Sequence, residues 1–142
     1  MTPEQEAVAA ANQGFYDALN ARDLAAMERV WFPADWAECV HPGGIALRGW
    51  HAVRDSWAIA FTSTVPAMVA ATDVHVHLLG DVAWVSCTER IAATIDGEIH
   101  ASAAHATNVF VRHDNAWRMV VHHASPVPYV VPASPEGGLL VN

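Results

Sequence analysis

The chain has 142 residues, 53% hydrophobic and 15% charged, which excludes a disordered polyelectrolyte and suits one domain with a sizeable core. Its net charge of −8 argues against a nucleic-acid binder and against docking on anionic membranes. All 7 basic residues are arginine, so Schiff-base chemistry through a lysine is excluded.

Thr2-Pro3-Glu4-Gln5 reads as a helix start, with Thr2 as cap, Pro3 at the first helical position and Gln5 closing a capping box. Val8, Ala11, Phe15, Ala18 and Leu19 then give one apolar face, with Tyr16 beside it. Asp23 caps a second helix whose stripe is Leu24, Met27, Val30 and Trp31, and Pro33 ends it. Trp36, Cys39 and Val40 suggest a short strand, His41-Pro42-Gly43-Gly44 a turn, and Ile45 to Leu47 the return. A third helix starts near Gly49-Trp50, with Trp50, Val53, Trp57 and Phe61 as its apolar positions.

From Ala67 the period changes to two. Strands are expected over 69–79, 82–95, 98–113 and 117–125, with Asp96-Gly97 as a hairpin turn. Pro126, Pro128, Pro132 and Pro135 exclude further regular structure. Residues 1–126 therefore read as one α+β domain and 127–142 as an extended C-terminal tail. A curved antiparallel sheet packed on few helices leaves a concave side, a natural place for an apolar pocket with a few polar groups.

Phe15-Tyr16-Asp17-Ala18-Leu19-Asn20-Ala21-Arg22-Asp23-Leu24 resembles the first-helix signature of the nuclear-transport-factor-2-like (NTF2-like) superfamily. Cys39-Val40-His41-Pro42-Gly43-Gly44, Leu47 to Trp57, Ala106 to Phe110 and Trp117 to Pro126 continue that resemblance. The superfamily includes ketosteroid isomerases and SnoaL-type polyketide cyclases, and the last segment also resembles the association domain of calmodulin-dependent kinase II. The resemblance implies a cone-shaped, cystatin-like fold, with the helices on the concave side of the sheet, and a homodimer. It hosts many unrelated functions.

In ketosteroid isomerases the base is an Asp before a Pro after the first strand; this chain has His41 before Pro42. The isomerase's first-helix Tyr falls at Phe15, with Tyr16 about 100° around the helix. Its second donor falls near Asn108. The resemblance thus implies His41 as base, with Asn108, Tyr16 or His123 stabilising an enolate. The implied reaction is cofactor-independent proton transfer on an apolar carbonyl compound, either isomerisation or cyclisation. The rival readings are a non-catalytic ligand-binding or dimerisation module and, behind it, a hydrase resembling metal-free carbonic anhydrases.

His122 and His123 are adjacent on a strand and point to opposite faces. His123 is preferred as the inward one, with Ser125 as hydroxyl partner, although the pattern does not choose cleanly. Glu89 and Arg90 also lie on opposite faces, and an inward Arg90 would suit an anionic ligand group. Phe110 shares a face with Asn108. Phe15, Trp36 and Trp57 are candidates to line an aromatic pocket, against the alternative of helix–sheet core. His75 and His77 have the i, i+2 spacing of a metal pair, but a surface or interface stripe is the simpler reading, and no motif calls for a metal or cofactor. The polar, acidic start and the lack of any apolar run near ~20 residues lead us to expect a cytoplasmic protein without a membrane span.

Overall fold

The computed structural model describes residues 1–128. The chain runs α1 (Pro3–Ala21), α2 (Leu24–Val30), β1 (Glu38–Val40), β2 (Ala46–Arg48), α3 (Trp50–Ala60), β3 (Ala67–Leu79), β4 (Val82–Ile95), β5 (Glu98–His113) and β6 (Ala116–Pro126). This is the expected α+β architecture, with a curved six-stranded sheet in the order β2-β1-β6-β5-β4-β3. Residues 129–142 of the expected tail lie outside the described residues.

Local chemistry sets these boundaries. Thr2 and Gln5 form a reciprocal capping box, which satisfies two otherwise orphaned donors at the start of α1. Arg22 ends α1 in the left-handed region, and Asp23 caps α2 through the backbone N–H of Ala26. Gly49 precedes α3 at φ 89°, a conformation that L side chains rarely adopt. Asp96 and Gly97 both take positive φ, as a tight two-residue hairpin requires.

Strands β3 to β6 form an antiparallel meander, while β1 pairs parallel with β6. No tight turn joins β1 and β6, so nothing forces them antiparallel. α1 crosses the inner face of the sheet, against β3, β4 and β6. Val8, Phe15, Tyr16, Met27, Trp31, Val53, Val85, Phe110 and Met119 form the centre of the core.

Two breaks in strand register decide which residues face that core. One lies between Thr72 and His75, where Asp73 has φ 51°. The other lets Val109 pair with Val121 and Phe110 with Met119, leaving Val120 as the extra residue of a bulge. A bulge reverses the in–out alternation beyond it.

Both ends of α1 are tied down. At its start, Arg112 donates to Glu4 (2.7 Å) and to Asp81 (2.8 Å) in the β3–β4 turn. At its end, the Asn20 amide bonds both backbone groups of Val69 (2.8 and 2.9 Å) on the free edge of β3. Arg22 also donates to the carbonyls of Ser63 and Val65.

Candidate active site

The register of β4, β5 and β6 places Glu89, Asn108 and His122 on the inner face, and all three are buried. α1 presents Asn12, Phe15 and Tyr16 to them from the facing side of the cone. Positions 12, 15 and 16 are spaced i, i+3 and i+4, so they share one helix face.

These side chains form a continuous hydrogen-bond chain. Tyr16 donates its hydroxyl to Glu89 Oε2 at 2.8 Å. The Asn108 amide nitrogen donates to Asn12 Oδ1 at 2.8 Å and to the Tyr16 oxygen at 3.2 Å. Its oxygen lies 2.6 Å from His122 Nδ1. An amide oxygen only accepts, so Nδ1 carries the His122 proton and Nε2 holds the bare lone pair. That lone pair lies 4.0 Å from Glu89 Oε2, beyond direct hydrogen-bond distance.

Burial governs the charge states. It lowers the His122 pKa to about 3, with His41 and His123 adding to the effect, so this imidazole is neutral near pH 7. It raises the Glu89 pKa, against the opposing hydrogen bond from Tyr16. It also raises the Tyr16 phenol far above its ordinary value, with Glu89 next in effect, so Tyr16 is a neutral donor. Cys39 is pushed up to about 12 by burial, and Cys87 is raised for the same reason. Both therefore stay thiols, which does not suit a nucleophile.

His41 occupies the more open part of the cone. Its Nε2 lies 3.0 Å from Ser56 Oγ, and Ser56 donates its only proton to the Val53 carbonyl at 2.6 Å. Ser56 can thus only accept from His41. The His41 proton is therefore on Nε2, and Nδ1 is free to take another. Burial lowers the His41 pKa, which keeps the ring neutral near pH 7. Cys39, two residues earlier on the same face, lies 3.7 Å from Nε2.

Trp57 of α3 packs near both histidines. Its ring centroid is 4.6 Å from that of His41 and 6.1 Å from that of His122. Phe15 packs on both Trp57 and His122, at 5.5 and 4.7 Å. Trp57 is only 3% exposed, yet its indole N–H has no hydrogen-bond partner among the described residues. An unpaired buried donor costs about 1–3 kcal/mol.

The structure thus brings together Tyr16, Phe15, His41, Trp57 and Asn108 of the residues expected from the sequence, with Phe110 buried two positions along β5. Four expectations need correction. His123 faces outward and is exposed, while His122 is the inward one, because the Val120 bulge breaks the alternation that grouped His123 with Met119. Ser125 pairs with His105 on that same outer face and is exposed. Arg90 is exposed on the face of β4 opposite the buried Glu89 and reaches only the groove between α1 and the sheet, away from the buried polar chain. Trp36 is 60% exposed, in the loop before β1.

The sequence does not single out Asn12 and Ser56, while Glu89 and His122 are weighed there against Arg90 and His123 and passed over. Glu89 had a usable signal, because Val85, Cys87, Glu89 and Ile91 alternate with Trp84, Ser86, Thr88 and Arg90, and the first set is the more apolar. Asn12 and Ser56 had none, since their partners lie on other elements. His75 and His77 face outward, with His77 stacked on Trp84 at 5.1 Å. Among the described residues no group of three or more His, Cys, Asp or Glu is placed to hold a metal. No helix among them is long and apolar enough to cross a membrane.

A groove of about 520 Å³ lies between α1 and the sheet, lined in part by Gln13, Asn20, Val69, Ala71 and Ile91. Ala71 is the cross-strand partner of Glu89, and Ile91 follows Glu89 on the same face. The groove therefore reaches the ring of residues around the buried carboxyl.

A curved six-stranded sheet closed by N-terminal helices is the fold of the NTF2-like, cystatin-like class. The chain belongs to the SnoaL-like domain family, whose model matches residues 8–130. It is similar to a candidate dehydratase of the NTF2-like family from Streptomyces avermitilis, with 37% identity, TM-score 0.81, and coverage of 90% of this chain and 100% of that one. It is also similar to a candidate calcium/calmodulin-dependent protein kinase II association domain from Thiobacillus denitrificans, with 36% identity, TM-score 0.72, and coverage of 89% and 95%. Over 119 residues, 84% of its length, it is 32% identical to the F-box protein SKIP8 of Arabidopsis thaliana. The chain spans about half (49%) of that relative.

Proposed function

We propose that this protein is a cofactor-independent enzyme that moves a proton at a carbon next to the carbonyl of an apolar small molecule. The observation that carries the reading is the pairing of a neutral His41, bare at Nδ1, with a buried Glu89–Tyr16–Asn108–His122 chain in one apolar cone. His41 takes the carbon-bound proton. The Glu89 carboxyl, held by the Tyr16 hydroxyl, supplies the acidic side, and Asn108 holds Tyr16 and His122 in place.

Isomerisation and cyclisation both begin with that proton transfer. So does loss of water from a β-hydroxy carbonyl compound, the chemistry suggested by the name of the Streptomyces avermitilis relative. The test needs no natural substrate. Small cyclic and aryl ketones are held in D₂O with the protein, and exchange of their α-protons is followed by NMR. We expect exchange above the buffer rate, lowered about 10²–10⁴-fold in His41→Ala. A rate equal in both proteins overturns the assignment of His41.

A non-catalytic assembly role is the second reading, favoured by the similarity to a candidate kinase association domain. The outer sheet face, with His77 on Trp84 and Ser86 on His105, is then the surface for a second copy. Light scattering that finds only monomer at micromolar concentration removes it.

A further inference from the structure

We propose that the Trp57 indole N–H is the hydrogen-bond donor that receives the carbonyl oxygen of a neutral, apolar ligand in the cone; this rests on the proton-transfer reading above. Its 3% exposure denies Trp57 solvent, and no described residue accepts its proton. Most buried polar groups find a partner, so an orphan beside a functional cluster calls for an absent one. The other buried indole without a partner, Trp31, packs on Trp50 and bridges Met119, outside the histidine cluster.

The surroundings choose the ligand chemistry. His41 and His122, both near Trp57, offer lone pairs at Nδ1 and Nε2, and Glu89 offers a carboxyl. No arginine is buried among the described residues. An anion would meet no cation here and would face the carboxyl, which excludes an acidic ligand group. A carbonyl oxygen accepts and never donates, so it complements a lone donor. Phe15, edge-on to the same indole at 5.5 Å, and Phe61, tilted against it at 5.8 Å, supply an apolar wall for the rest of the molecule.

Indole ¹⁵N–¹H spectra of the full chain, which has 6 Trp residues, read this directly. Cyclohexanone is titrated in, and methylenecyclohexane, its near-isostere without the oxygen, serves as control. Trp57→Phe, or Trp57→Tyr should the first not fold, identifies the resonance. We expect the ketone to move the Trp57 N–H downfield and the hydrocarbon to leave it in place. We also expect the variant to bind the ketone about tenfold more weakly and the hydrocarbon equally well. A Trp57 resonance unmoved at saturating ketone, moved equally by the hydrocarbon, or held against the face of Phe15 throughout overturns the proposal. Ketone that moves Trp57 without any α-proton exchange sinks the catalytic reading and keeps the donor. Exchange without movement of Trp57 does the reverse.

Discussion

His122 and His123 are neighbours in sequence with opposite environments. His122 is 2% exposed and bonded through Nδ1 to Asn108, while His123 is exposed on the other face opposite Thr107. Every proton-linked property of this strand that depends on burial therefore belongs to His122.

Acid stability follows from that burial. The folded protein binds fewer protons at His122 than the unfolded chain between pH 6.5 and about 3. Stability from this group is complete above pH 6.5 and is lost as pH falls through that window, on the order of 5 kcal/mol in total. Urea midpoints at pH 7, 5 and 4 should fall steeply for the wild type. They should fall less for His122→Gln, and parallel curves would show that His122 is not the group titrating.

Glu89 acts with the opposite sign. Its folded pKa lies above the ordinary 4.5, so its contribution is intact below pH 4.5 and is lost as pH rises through the raised value. Glu89→Gln keeps the shape and removes the ionisation. Its melting temperature should therefore gain on the wild type between pH 5 and pH 8, while α-proton exchange falls. A constant difference across that range would mean that Glu89 ionises with its ordinary pKa.

Asn108 is the hub of the buried chain. Asn108→Leu leaves the His122 Nδ1–H and the Asn12 oxygen without partners. The expected loss is about 2–4 kcal/mol, read from chemical denaturation. A loss below about 1 kcal/mol would mean that water replaces the amide.

Ser56 acts through His41. With its proton committed to Val53, it fixes the imidazole proton on Nε2. Ser56→Ala should slow ketone exchange by roughly tenfold and shift its pH profile, with stability changed by less than about 1 kcal/mol. Trp36→Ala, in an exposed loop, should leave exchange and ketone binding unchanged.

Most of the fold was legible because its signals are local. The Thr2–Gln5 box, the Asp23 cap, the Asp96-Gly97 turn and the period-two strands each depend on a few adjacent residues. The site was legible only in part. Tyr16, His41 and Asn108 came from family resemblance. Glu89 lost to Arg90, and His122 to His123, because facing depends on register, and a single extra residue at Val120 inverts it. Asn12 and Ser56 carry no sequence signal, since their roles exist only once separate elements meet.

The double anchorage of α1 has a bearing on how a molecule gets in. The helix that carries Asn12 and Tyr16 is fastened to the sheet at Glu4–Arg112, at Asn20–Val69, and through Arg22 to the segment before β3. These ties make α1 the more firmly held wall of the cone. The opposite wall is held more lightly, since β1 and β2 pair over three residues each and α3 rests on them. His41, Ser56 and Trp57 all ride on that wall. Traffic into the cone should thus move the proposed base together with its positioning serine and the indole, and leave the Glu89–Tyr16–Asn108–His122 chain undisturbed.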